Sequence, residues 1–123
     1  MNGKSRIEQG QLAEQQAAEF LSQQGLELLA RNYHCRSGEI DLIMQVHNSL
    51  VFVEVRFRRH GNFGGAAASV DRRKQQRLLS AAQHYLQRHN AFNRPCRFDV
   101  VAMMPGQDGE MKFEWIKNAF ELD

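Results

Sequence analysis

Gly38-Glu39-Ile40-Asp41-Leu42-Ile43-Met44-Gln45-Val46-His47-Asn48-Ser49-Leu50-Val51-Phe52-Val53-Glu54-Val55-Arg56-Phe57-Arg58 alternates apolar and polar side chains on both sides of a short polar turn. Ile40, Leu42, Met44 and Val46 form one apolar set, and Val51, Val53, Val55 and Phe57 form another. This is the period-two pattern of half-buried strands. It predicts a strand over Glu39–Val46, opened by Gly38, and a second over Leu50–Arg58. A two-residue turn at His47-Asn48 pairs Val46 with Ser49 and sets Asp41 directly opposite Glu54. A two-residue turn at Asn48-Ser49 instead sets Arg56 opposite Asp41, with Glu54 one diagonal away. A three-residue turn pairs Asp41 with Val55 and sends the two apolar sets to opposite faces, which wastes the core. Either two-residue register places Asp41, Glu54 and Arg56 on one sheet face, and Glu39 shares it.

Like charges directly opposed in a sheet are destabilising. Asp41 and Glu54 therefore need a cation or free access to water. Arg56 supplies part of the compensation, and a divalent cation such as Mg²⁺ or Mn²⁺ would supply the rest. Hard cations of this kind take carboxylates, waters and phosphate oxygens. The five histidines and the two cysteines, Cys35 and Cys96, show no metal-ligating spacing. A plain solvated polar face is the competing explanation, as is a fixed ion pair between Arg56 and either acid. Glu14 weighs against the solvated face. It lies on the stripe Gly10, Glu14, Ala17, Ala18, Leu21 of the first helix. An acid at the edge of a buried stripe calls for a partner, which makes Glu14 the candidate third member of an acidic cluster.

Outward from the hairpin, Ser5–Gln24 reads as a helix stopped by Gly25, and Glu27–His34 as a strand. After the loop Gly61-Asn62-Phe63-Gly64-Gly65, Val70–His89 reads as a second helix, with Leu78, Ala81, Ala82, Tyr85 and Leu86 at helical spacing. Cys96–Met103 reads as a fourth strand, Pro105–Gly109 as a turn, and Phe113–Ile116 as a short last strand. The order is αβββαβ with one extra strand, a mixed α/β sheet packed between helices. At 123 residues, 1–123 is expected to be a single domain. The 42% apolar content builds one core without disulfides, and nine Gly, two Pro and a mixed-charge composition argue against a disordered chain. No apolar run reaches a membrane span, and the start of the chain has no apolar signal core. A cytoplasmic protein with two reduced thiols, and no membrane partner, is the expectation.

The net charge is only +2, but it is unevenly placed. From Glu54 to Arg77, seven basic residues (Arg56, Arg58, Arg59, Arg72, Arg73, Lys74 and Arg77) face two acids, a local excess of +5. Such a segment is the footprint of a polyanion, most often nucleic acid. Arg58, Arg59, Arg72, Arg73, Lys74 and Arg77 are the candidate phosphate contacts. Arg97 and Asp99 are read as structural, and Trp115 and Phe120 as packing residues.

Gly38-Glu39-Ile40-Asp41-Leu42-Ile43 followed by Val53-Glu54-Val55-Arg56 resembles the PD-(D/E)xK nuclease pattern, in which an Asp and a hairpin precede Glu-x-Lys. More closely, the chain resembles the YraN-like family of small bacterial proteins. The likeness includes Ala13-Glu14, Arg31-Asn32, Phe63-Gly64, Lys74, Tyr85-Leu86, Arg97-Phe98-Asp99-Val100-Val101 and Trp115 to Phe120. It implies a restriction-endonuclease-like three-layer sandwich akin to Holliday-junction resolvases. Carried over by position, it implies metal binding by Glu14, Asp41 and Glu54, with these and Arg56 forming the catalytic set. The implied activity is metal-dependent hydrolysis of phosphodiesters in DNA rather than RNA, on structured or branched substrates. The alternative is a non-catalytic nucleic-acid-binding protein on the same fold, because Arg56 stands where the pattern has lysine. Junction-resolving relatives work as dimers, so the likeness extends to a homodimer, which the residues themselves leave open.

Overall fold

A computed structural model describes residues 5–58 and 65–121. Arg59 and most of the glycine-rich loop lie outside them. Helix α1 spans Arg6–Gln23. Ser5 starts it with a reciprocal cap: its Oγ accepts from the Glu8 N–H at 3.1 Å, and Glu8 Oε1 accepts from the Ser5 N–H at 3.2 Å. Gly25 ends the turn at φ 101°, a left-handed value that suits glycine. Strands β1 (Glu27–Cys35), β2 (Gly38–Val46) and β3 (Ser49–Phe57) follow, then α2 (Arg72–Arg88), β4 (Cys96–Pro105) and β5 (Met111–Ile116). The last two strands are longer than their apolar patterns indicate. β4 continues to Pro105 because β5 pairs with it from Val100↔Ile116 out to Pro105↔Met111.

The five strands form one sheet in the order β1-β2-β3-β4-β5. All neighbours are antiparallel except β3 and β4, which run parallel. A parallel pair needs a crossover, and α2 provides it. The helices cover opposite faces. Ala13, Ala17, Ala18 and Leu21 of α1 pack with Leu42, Met44, Val51, Val53, Val101 and Met103. Leu78, Ala81, Ala82 and Tyr85 of α2 pack with Ile40, Ile43, Leu50, Phe52, Val100 and Ala102. The expected α/β three-layer sandwich and its αβββαβ order are therefore present, extended by β5.

The hairpin adopts the His47-Asn48 turn, with His47 at φ 55° and register running from Val46↔Ser49 to Leu42↔Val53. Two expectations need correction. The set Ile40, Leu42, Met44, Val46 does not share a face: Ile40 packs under α2, whereas Leu42 and Met44 pack under α1. The alternation breaks at Asp41, where the β2–β3 ladder stops and the strands part. Gly10 is exposed, so the buried stripe of α1 begins at Ala13. Along the outer rim, the β1–β2 register shifts between Leu28 and Ala30, leaving Leu29 as an extra residue.

Gly38 fixes how closely α2 lies on the sheet. A Cβ built on it would stand 1.9 Å from the Arg77 carbonyl oxygen, a backbone atom that cannot swing aside. Gly38→Ala is expected to cost about 1–3 kcal/mol of stability, the range for overpacking. A urea midpoint within error of the parent's would show that α2 does not depend on this contact.

Candidate acidic site at the parting of two strands

Asp41 sits where β2 and β3 separate. Its Oδ2 accepts the Val55 N–H at 2.8 Å, so the carboxylate holds β3 where the regular β2–β3 register has ended. Asp41 lies close enough to Glu14 of α1 and to Glu54 of β3 for a side-chain hydrogen bond with each. Three acids from three elements thus meet at one end of the sheet. Glu54 is 4% exposed, a depth at which an ionised carboxylate without compensation is costly. Glu14 is half-buried.

The electrostatics follow from that crowding. Burial, then the Asp41 charge, pushes Glu54 up to about 8, against the opposing pull of Lys74 and Arg56. Burial and Asp41 likewise push Glu14 up to about 7, opposed by the Arg31 charge and a hydrogen bond from Asn32. A like-charged neighbour and burial both disfavour the ionised forms. Both groups bind protons more tightly folded than unfolded. Their contribution to stability is therefore complete below pH 4.5 and is lost as pH rises through about 7 and then about 8. In chelator, the melting temperature is expected to fall between pH 5 and pH 9, on the order of these titrations. A flat profile in that window would contradict the packing of the three acids.

Arg56 Nε stands 3.4 Å from Glu54 Oε2, an ion pair by distance. The same Nε is buried and makes no well-directed hydrogen bond. Its Nη2 reaches the Ser69 carbonyl at 3.5 Å. Lys74, read from the sequence as a phosphate contact, is turned inward: its Nζ is 3.7 Å from Glu54 Oε2 and 3.7 Å from Glu39 Oε1. Glu39 also pairs with His34 at 3.2 Å. The signal for Lys74 is present in the sequence. It lies one helical turn before Leu78, on the stripe that continues through Ala81 and Tyr85.

Two further residues support Glu14. Asn32, at φ 51°, and Arg31 both act on its carboxyl, and Arg31 Nη2 donates to the Gln11 carbonyl at 3.1 Å. They also line an open groove of about 600 Å³ with Glu8, Gln11, Leu12 and Gln15. The groove follows α1 and lies beside the acids rather than over them. Of the other basic candidates, Arg72, Arg73 and Arg77 are exposed on α2, and Arg58 is half-buried just past β3. Arg97 and Asp99 are structural: Arg97 Nε donates to Asp99 Oδ1 at 3.0 Å, away from the three acids.

Glu14 Oε1 and Glu54 Oε1 are buried without a hydrogen-bond partner. Orphaned buried carboxylate oxygens on either side of Asp41 form a hard-oxygen donor set, the chemistry that suits Mg²⁺ or Mn²⁺. Among the described residues, no three His, Cys, Asp or Glu side chains stand as a ready-made metal cage. A cation would have to draw these carboxylates together.

The model of the uncharacterised protein family UPF0102 matches residues 13–103, the span that holds all three acids, Arg56 and Lys74. The chain belongs to this family. The UPF0102 protein of Saccharophagus degradans is 57% identical over 117 residues, covering 94% of this chain and 95% of the relative. That of Alcanivorax borkumensis is 52% identical over 118 residues, covering 95% and 94%. That of Nitrosococcus oceani is 52% identical over 124 residues, covering 100% and 99%. The described part of this UPF0102 chain contains no helix long and apolar enough to cross a membrane.

Proposed function

We propose that this protein is a metal-dependent phosphodiesterase acting on DNA in the cytoplasm, with structured or branched DNA as its substrate class. The observation that carries the reading is the pair of orphaned oxygens, Glu14 Oε1 and Glu54 Oε1, flanking Asp41. Glu14, Asp41 and Glu54 would hold a divalent cation, which supplies Lewis acidity to a phosphate and to the water that attacks it. The protein's own groups do the rest. Asp41 keeps the strand ends in place through Val55. Arg56 and Lys74 place positive charge against the acids. Arg72, Arg73 and Arg77 offer exposed charge for the DNA backbone, which gives affinity without sequence readout.

The test is cleavage of single-stranded, duplex, flap and four-way DNA with Mg²⁺ or Mn²⁺, and its loss in chelator. Cleavage that persists in Asp41→Asn would place the chemistry elsewhere. A second reading, a non-catalytic DNA-binding protein, is favoured by the Arg56–Glu54 pair, which neutralises one acid without metal. It expects salt-sensitive, metal-independent binding and no cleavage.

A further inference from the structure

We propose that Lys74, delivered across the sheet face by α2, is the cation that works on the reacting phosphate, while Arg56 is a fixed counter-ion that holds Glu54. This rests on the phosphodiesterase reading above. The two cations differ in how they are held. Arg56 has its Nε buried at 3.4 Å from Glu54 and its Nη2 directed to the Ser69 carbonyl. Lys74 Nζ lies 3.7 Å from each of two carboxylates, beyond hydrogen-bond distance of both. Side-chain exposure is similar for the two, 26% for Lys74 and 30% for Arg56, so the difference lies in the charged atoms: the Arg56 Nε is buried, whereas the Lys74 Nζ stands between Glu39 and Glu54.

The backbone of Lys74 is fixed even though its ammonium is not. Asp71 Oδ1 accepts the Lys74 N–H at 2.9 Å, capping α2 on the residue that carries the charge. Gln75 Nε2 donates to the Val70 carbonyl at 2.9 Å, tying the same turn to the preceding segment. The close approach of Gly38 to Arg77 holds the helix against β2 three residues further on. A compact ammonium on a flexible stem suits a site where charge develops during reaction, whereas a planar guanidinium suits a fixed pair.

In hydrolysis the water oxygen bonds to phosphorus and one ester P–O bond breaks. The water releases one proton to solvent, and the leaving oxygen takes one up. Lys74 keeps its own protons and donates N–H to the phosphoryl oxygen on which negative charge grows.

The experiment compares kcat and KM of wild type, Lys74→Met, Arg56→Met and the double variant Lys74→Met/Arg56→Lys on the substrate the wild type cleaves, together with Mn²⁺ affinity and melting temperature. Lys74→Met is expected to lower kcat by about 100-fold or more, the scale of losing one preorganised donor, with KM changed by less than about threefold. Its Mn²⁺ affinity should be no weaker, since the acids remain. The double variant is expected to recover at least about tenfold, because a lysine two residues after Glu54 offers an ammonium to the same phosphoryl oxygen. Lys74→Gln repeats the test if the methionine variant does not fold. A Lys74→Met enzyme within about threefold of wild type, beside a dead Asp41→Asn, would overturn this assignment and leave the nuclease reading standing. A wild type that cleaves no DNA substrate removes both.

Discussion

Asp41→Asn is expected to abolish cleavage while making the metal-free protein more stable at pH 8. The two effects come from the same charge. The Asp41 carboxylate is one of three acids at the parting of β2 and β3, and it raises the affinity of Glu14 and Glu54 for protons. Asparagine has nearly the same shape and keeps an oxygen for the Val55 N–H, so the 2.8 Å bond survives. What disappears is a half-buried negative charge beside two other carboxyl groups. Glu14 and Glu54 then ionise at lower pH, and the loss of stability between pH 5 and pH 9 becomes shallower. Loss of one preorganised charge in a water-excluded site costs on the order of 1000-fold in rate, taken as the upper end of single-group effects. Cleavage assays with Mn²⁺ and thermal melts in chelator read the two halves separately. A variant that melts lower than wild type at pH 8 would mean that Asp41 holds the hairpin together by its charge, against the geometry described here. Sites built for chemistry commonly give up stability in this way.

Asp99→Ala is expected to produce the largest loss of stability. Asp99 is 1% exposed and accepts hydrogen bonds from three residues in different parts of the chain. Arg97 Nε approaches Oδ1 at 3.0 Å, Trp115 Nε1 donates to Oδ2 at 2.8 Å, and the Asn118 N–H donates to Oδ1 at 2.9 Å. The carboxylate thereby ties β4 to β5 and to the turn after it. Alanine leaves a part-buried guanidinium, an indole N–H and a backbone N–H without their acceptor. Breaking a buried pair from one side costs about 3–5 kcal/mol, which corresponds to a fall in melting temperature of roughly 10–25 °C for a domain of this size. Urea denaturation measures it directly. A shift under about 1 kcal/mol would mean that solvent replaces the lost acceptor at little cost. Cleavage per folded molecule should change little, because Asp99 is not among the three acids.

The hairpin register was legible because its apolar residues alternate strictly enough for only two turns to serve, and the chain uses one of them. Glu14 was legible because a charged residue interrupts a stripe of alanines. The break at Asp41 was not. An apolar residue at 40 and another at 42 look like one face whether or not the chain turns between them, and the turn is set by contact with β3. Lys74 shows the opposite failure. Its position on the apolar stripe of α2 was available in the spacing, but a basic neighbourhood of Arg72, Arg73 and Arg77 made it read as a contact to the nucleic-acid backbone. Asn32 carried no pattern signal, since neither its left-handed backbone nor its influence on Glu14 has a period.

The extra residue at Leu29 bears on how molecules of this protein meet one another. β1 is an edge of an open sheet, and an edge of nine residues, Glu27–Cys35, with Leu28 and Leu29 partly exposed, would template aggregation if it were flat. The bulge between Leu28 and Ala30 bends that rim and interrupts its row of free N–H and C=O groups where its exposed leucines lie. Irregular edges of this kind make poor docking rails for a second strand. The sheet can therefore stay open at β1 without recruiting its own copies into fibrils.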